Sequence, residues 1–501
     1  MLSFIFVRKK GSVVMLIVEW ILLLNMRKKM MKYLLSLLLF FSLEKINAQD
    51  ADTWDLRRCV DYAMTHNVTV LQADIQARQA ALQTKLAKWQ SIPTLNFNTQ
   101  AGFQFGRSID PTTNLYTNNN VFFQSYSLQT GITLFNFFSI KNNKLATAKD
   151  EAAARLGVEK ARNDIALNIA AVYLQTLLST EQASIAKVQI DQTRAQLDNT
   201  KKLVTAGSMP ELNAAQLEAQ LATDSSNYIT ALGTADQNRI QLIAMLNLDE
   251  STPFKVATPD VDKIPLPPLS ELDPAYVYQL ALATQPEQLL DSTRIVAREY
   301  SVKSARGAMY PTIGAFGQLS SNYANSYMEP YGSRPFADTV YTHGGDYIAT
   351  AGSVPIFRKV PYFRQVGNIN FSQGIGLQLN VPILNGRQAK TNYERAKLDL
   401  ENSKLQYRSD NLTLQQNIYT AYSNSVAALA KYNSSTKAAD IQQYAYELAT
   451  KRYEIGILST IDYITIQTNL FTAKINQASA KYDFIFKMKV LEFYKGQGVQ
   501  F

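Results

Sequence analysis

Thr94-Leu95-Asn96-Phe97-Asn98-Thr99-Gln100-Ala101-Gly102-Phe103-Gln104-Phe105-Gly106 is the stretch on which the reading of this chain turns. Leu95, Phe97, Ala101, Phe103 and Phe105 alternate with Asn96, Asn98, Gln100, Gly102 and Gln104, the period of two that marks a β-strand with one apolar and one polar face. The polar face is built from uncharged amides and glycine. Ser125–Asn136 repeats the pattern, with Tyr126, Leu128, Ile132 and Leu134 set against Ser127, Gln129, Gly131 and Thr133. So does Gln373–Asn380, whereas Thr312–Tyr323 is weaker because Phe316 interrupts its polar side. Roughly ten residues of such alternation is the length of a tilted membrane-spanning strand, and amides suit a water-filled lumen. A soluble antiparallel sheet alternates as well and stays open as an alternative at this point.

The rest of the chain is organised around these strands twice. Ser91-Ile92-Pro93-Thr94 returns as Met309-Tyr310-Pro311-Thr312, 218 positions on, and the preceding stretches align with Ala63 on Ala281, Leu71 on Leu289 and Lys85 on Lys303. Further along the offset is 249: Asn136 falls on Asn385, Tyr173 on Tyr422, Lys202 on Lys451 and Gly207 on Gly456. The difference of 31 residues is an insertion, most of it in the loop 320–372. Each half therefore reads helix, strand, loop, strand, then two long helices around a glycine. The first copy is expected over 49–260, a linker over 261–270 and the second copy over 271–501. The loop 320–372, with Pro330, Pro335 and many tyrosines, is expected to form an outward-facing lid or receptor-like surface, a disordered loop being the plainer alternative.

Few helix breakers occur over Lys141–Ala206 and Arg387–Ile455, so each is expected to be one helix on the order of 100 Å long at 1.5 Å per residue. In the second, Leu398, Leu405, Leu412, Tyr419 and Val426 recur every seven residues, and so do Leu400, Tyr407, Leu414, Ala421 and Ala428. Two heptad seams about 200° apart predict a helix with neighbours on opposite sides, like a stave in a cylinder, a bundle helix buried on one broad face being the plainer alternative. Gly207 and Gly456 fit helix C-terminal caps. Pro210 fits the first turn of one returning helix, and Ser459 or Thr460 caps the other.

Composition narrows the chemistry. The chain has 501 residues with 46% apolar and 18% charged side chains, enough for a large core. One cysteine and two histidines leave little for a disulfide framework, a zinc site or a triad, and no phosphate-cradling motif appears. No catalytic residue, cofactor site or metal site is therefore expected. Residues 1–48 read as a signal peptide, because Arg27, Lys28, Lys29 and Lys32 precede a short apolar run from Tyr33 to Leu43, after which Ile46-Asn47-Ala48 offers a small residue for cleavage. A second apolar stretch upstream suggests that the true start lies near Met26–Met31, with an N-terminal anchor as the alternative. The formal net charge of +9 falls to about +3 once that leader is set aside, and no basic patch points to nucleic acid.

Four strands cannot close a pore alone, and open edges are not tolerated in lipid. Several chains must then share one barrel. At this point the chain resembles the outer membrane efflux protein (TolC) family across essentially its whole mature region. The resemblance is carried by Pro93 and Pro311 entering their strands, by the joint Pro382-Ile383-Leu384-Asn385-Gly386-Arg387, and by the tip pattern Arg452-Tyr453-Glu454-Ile455-Gly456.

It implies an α+β membrane protein: a homotrimer sharing a twelve-stranded β-barrel among outer-membrane lipid in a Gram-negative bacterium, with helical hairpins forming a periplasmic tunnel. It further implies a passive conduit of a tripartite efflux or type I secretion system. Its partners would be a periplasmic adaptor (membrane fusion) protein and an inner-membrane pump of RND or ABC type. The hairpin tips Gly207, Ser208, Gly456 and Ile457 would meet the adaptor. Asp462 would line the tunnel entrance, with Thr465 where an acid is familiar. Asn136, Asn385 and Gly386 would form the strand–helix joints; the first, Phe135-Asn136-Phe137-Phe138, departs from the family's usual glycine-containing turn and is expected to serve as an interfacial aromatic anchor instead. The competing class is a soluble periplasmic coiled-coil adaptor or scaffold, which shares the heptads and the leader but has no use for four amide-faced strands.

Overall fold

The computed structural model describes residues 53–109, 114–118, 120–249, 251–258, 264, 266–341, 343–344 and 347–496. The leader lies outside these residues, as does part of the linker. Two compact units separate. In the smaller, Thr53–Trp54 pairs in parallel with Lys255–Val256, and the Trp54 ring packs on Phe254 with centroids 5.4 Å apart. Everything below belongs to the larger unit.

That unit is mostly helical, with one principal sheet. Helices α1 (Leu56–His66) and α2 (Val68–Trp89) lead into strands β1 (Thr94–Gln104) and β2 (Val121–Phe135), joined through a short hairpin of Arg107–Ile109 and Tyr116–Asn118. Then come α3 (Ser139–Thr205) and α4 (Glu211–Leu246). After the linker, α5 (Pro274–Thr284) and α6 (Pro286–Gly307) lead into β3 (Thr312–Ala324), a ribbon of β4 (Met328–Tyr341) with β5 (Tyr347–Lys359), β6 (Ser372–Asn380), α7 (Gln388–Glu454) and α8 (Thr460–Tyr494). Helices α3 and α7 each run 67 residues, and their bounds lie within two residues of those read from the sequence.

Strands β1, β2, β3 and β6 form one antiparallel sheet in the order β6-β3-β2-β1. Register decides its chemistry, because residues directly opposite share a face. Phe97 lies opposite Leu128 and Leu128 opposite Leu319, while Leu377 lies opposite Ala315, so the apolar side chains of all four strands gather on one face. Asn98 with Ser127, Gln129 with Gln318, and Gln378 with Gly314 gather on the other. Phe316, which weakened the third strand to the eye, stands between Gly131 and Gly376 in the register, its ring so close over Gly376 that a β-carbon there would meet it at 2.8 Å. An aromatic side chain covering a strand glycine stabilises the pair, which is why this face tolerates Phe316.

The insertion is not a featureless loop. Most of it is the β4–β5 ribbon, followed by one helical turn, Tyr362–Arg364, that continues as a π-helical turn over Gln365–Ile369. Strand β2 also begins at Val121, earlier than Ser125.

Candidate functional site: the hairpin tips and the strand–helix joints

At each tip a Schellman motif reverses the chain. The Ser208 N–H donates to Leu203 O at 2.9 Å and the Gly207 N–H to Val204 O at 2.9 Å. In the second hairpin the Ile457 N–H donates to Arg452 O and the Gly456 N–H to Tyr453 O, both at 3.0 Å. Gly207 at φ +76° and Gly456 at φ +73° supply the left-handed residue this motif requires. Pro210 is the N-cap of α4 rather than a residue of its first turn. Ser459 caps α8: its hydroxyl accepts from the Asp462 N–H at 3.1 Å and donates to Asp462 Oδ2 at 2.7 Å. Asp462 is therefore an exposed first-turn carboxylate, favoured there by the helix dipole. Thr465 is exposed one turn on and donates to Ile461 O at 2.8 Å, while Thr460 is buried.

Behind the tips the hairpins are tied together by aromatic and hydroxyl groups. Tyr453 and Tyr463 stack with centroids 4.7 Å apart, and Met209 of the first hairpin packs against the same cluster. The Tyr453 hydroxyl lies 3.3 Å from Thr200 Oγ1 of α3 and 3.1 Å from Thr460 Oγ1 of α8. Burial pushes the Tyr463 phenol up, and its bond to Tyr446 adds to this.

A second link, which sequence reading missed, is centred on Asp224 in α4. This carboxylate is 1% exposed, accepts from Gln189 and Gln220 at 2.8 Å and from Thr193 Oγ1 at 2.7 Å, and Gln467 of α8 donates to Thr193 at 3.2 Å. Burial raises its pKa, opposed by the bonds from Thr193 and Gln220. Spacings of 31 and 35 residues carry no periodic signal, so in sequence Asp224 looks like an ordinary surface residue. Asp291 of α6 was missed for the same reason. Its side chain is buried, Oδ2 has no hydrogen-bond partner among the described residues, and desolvation with the facing Asp410 of α7 pushes its pKa up to about 6, Arg294 opposing.

At the other end of the long helices the two joints have one backbone. Phe137 and Phe138 are left-handed at φ 47° and 61°, as are Gly386 and Arg387, both at 61°. The Ser139 N–H donates to Asn136 O at 3.0 Å and the Gln388 N–H to Asn385 O at 3.1 Å. The bulky first joint is thus the same turn made from unfavourable residues, since a non-glycine residue in that region costs about 1–2 kcal/mol. Packing offsets the strain: Phe137 stacks on Tyr310 at 4.7 Å and lies 5.0 Å from Phe135. Gly307 brings the end of α6 against this turn, and Ser139 and Ser304 each donate to the other's carbonyl at 2.9 Å.

Residues 60–248 and 277–487, which hold most of this sheet and the long hairpins, match a family model described as outer membrane efflux protein. The chain belongs to the outer membrane efflux protein family. Curated relatives include the outer membrane efflux protein BepC of Brucella suis, 22% identical over 386 residues, covering 76% of this chain and 73% of that one. The alkaline protease secretion protein AprF of Pseudomonas aeruginosa is 21% identical over 436 residues, 85% and 81% of the two chains. Among solved structures, the Campylobacter jejuni CmeC outer membrane channel covers 89% of this chain and 86% of its own at a TM-score of 0.67 with 18% identity, a likeness that shows the fold. By family, then, the chain is an outer membrane efflux protein.

Proposed function

We propose that three copies of this chain share one twelve-stranded barrel and one periplasmic tunnel, as a passive conduit of a tripartite efflux or type I secretion system. The observation that carries the reading is the pair of unsatisfied edges. The sheet ends at β1 on one side and β6 on the other, and most of their residues are exposed. Backbone edges cannot stay open in lipid, so β1 of one copy pairs with β6 of the next, the apolar face outward and the amide face lining water.

The helical wall has matching gaps. Along α7 the seam of Leu398, Leu405, Leu412, Tyr419 and Val426 is exposed, while Leu414 and Ala428 of the other seam are buried. Leu71, Ile75, Leu82 and Leu86 are exposed on α2. Apolar stripes at both margins of one wall suit neighbouring copies of the same chain. The equal 67-residue lengths of α3 and α7, and the common turn at Asn136 and Asn385, support a duplication over 49–260 and 271–501.

Gly207, Ser208, Gly456 and Ile457 are assigned to docking on the periplasmic adaptor, which itself binds an inner-membrane pump of RND or ABC type. Asp462 is assigned to the tunnel entrance, where three symmetry copies favour cations and Thr465 adds no charge. The conduit performs no chemistry of its own, and sorting of cargo belongs to the pump. Insertion of the purified protein into a planar bilayer tests this: stepwise, ion-conducting openings are expected. A protein released from membranes by carbonate, with no conductance, contradicts it.

A further inference from the structure

Strand β3 outruns its neighbour β6. Pairing with β6 ends at Ser320 opposite Ser372, yet β3 continues to Ala324, at the end remote from the joints. Side chains of the helical turns after the ribbon take up backbone groups beyond that point. The Ala324 N–H donates to Gln365 Oε1 at 3.1 Å, and Asn370 Nδ2 donates to Asn322 O at 2.7 Å. Ser321 Oγ in turn donates to Val366 O at 2.7 Å.

Tyr362 fixes the side on which this segment lies. Its hydroxyl is 2.6 Å from that of Tyr126 in β2, and its ring centroid is 4.9 Å from that of Tyr323 in β3. Tyr126 and Tyr323 alternate in phase with Leu128 and Leu319, so the segment sits on the apolar face of the sheet, at its outer end. Next to the anchored Tyr362 stands Phe363, 86% exposed. Beside it two cations meet on one acid: Arg364 lies 2.6 Å and Arg358 2.8 Å from Glu329 Oε1. The Glu329 side chain is 15% exposed and the two arginines about half exposed, so the carboxylate lies beneath and one positive charge remains outward.

We propose that the turn Tyr362–Ile369 and the ribbon base form a docking site for the phosphate-bearing headgroup of an outer-leaflet lipid. Phe363 enters the acyl boundary and Arg358 and Arg364 hold the phosphate. The assignment rests on the barrel reading, which turns the apolar face to lipid. The occupant follows from charge complementarity and place: an exposed aromatic ring with a fork of guanidiniums at the outer end of a lipid-facing sheet matches an amphiphile with an anionic head. A soluble anion has no use for Phe363.

Native mass spectrometry of the full chain in mild detergent tests this, with lipid A carrying its phosphate, the same lipid without phosphate, and inorganic phosphate as competitor. Retention of the phosphorylated lipid is expected to weaken about 30-fold in the Arg358→Gln/Arg364→Gln double variant, at roughly 1 kcal/mol per arginine near an anionic surface. Phe363→Ser, which leaves every hydrogen bond described here intact, is expected to weaken both lipid forms, and Arg364→Lys to restore part of the phosphate preference. Equal retention by wild type and variants overturns the site, as does displacement by inorganic phosphate alone. Conductance of the same preparations in plain phosphatidylcholine separates the two readings. Conducting wild type with variant-independent retention removes only the lipid site, whereas a non-conducting wild type removes the channel and the lipid site with it.

Discussion

Replacing Gly307 with Ala attacks the point where helix and strand geometry meet. A β-carbon at Gly307 would lie 2.6 Å from Phe137 O, 3.0 Å from Ser139 N and 3.1 Å from Ser139 Cα, all backbone atoms that no rotamer change can move. A carbon needs about 3.3 Å from a carbonyl oxygen, so the end of α6 must retreat by roughly 0.7 Å. That retreat stretches the two reciprocal Ser139–Ser304 bonds, now 2.9 Å, beyond hydrogen-bonding range. Losing both costs about 2 kcal/mol, and overpacking adds about 1–3 kcal/mol. Alanine's better helix propensity returns up to about 1 kcal/mol, leaving a net loss near 2–4 kcal/mol. Gly157→Ala is the control, because there the added carbon meets only Leu290 Cδ1 at 3.5 Å, an ordinary contact. Thermal loss of helical circular dichroism in detergent is the assay. Gly307→Ala is expected to melt well below wild type and Gly157→Ala at or above it. A Gly307→Ala protein as stable as wild type refutes the close-approach reasoning.

Three further outcomes follow from the tips and the buried carboxylates. Gly456→Val forces a β-branched residue into φ +73°; export is expected to fall while the assembly mass is unchanged, and normal export would remove the tip from adaptor docking. Asp462→Ala is expected to lower cation selectivity in a planar bilayer, and an unshifted reversal potential would take Asp462 out of the entrance. For Asp291, the folded pKa of about 6 stands above the ordinary 3.8, so the folded chain binds the extra proton and gains stability as pH falls through 6 towards 4. Above pH 6 the buried charge, facing Asp410 with Glu287 near and Arg294 only partly compensating, destabilises the α6–α7 contact. Melting between pH 5 and 7.5 should therefore drop more steeply in wild type than in Asp291→Asn; parallel profiles would count against the buried-acid account.

What could be read from sequence was what has a period or a punctuation mark. Alternation set the faces of β1, β2 and β6, and the tip glycines stand where the Schellman bonds need a left-handed residue. Heptads outlined α7, including a seam from Leu398 to Val426 that is exposed in the single chain. The turn over Tyr362–Ile369 was illegible because Gln365 and Asn370 hold it through side-chain bonds to β3, not through any repeating pattern. Asp224 and Asp291 escaped because a helical carboxylate looks the same in sequence whether it faces water or a partner far along the chain. Phe137 and Phe138 gave no hint that they adopt the backbone of Gly386 and Arg387; only the alignment of Asn136 with Asn385 pointed there.

The most direct test of the shared barrel is the mass of the detergent-extracted protein by light scattering, corrected for bound detergent. A value near three mature chains is the predicted result. A stable monomer in mild detergent, leaving the edges of β1 and β6 open, would contradict it.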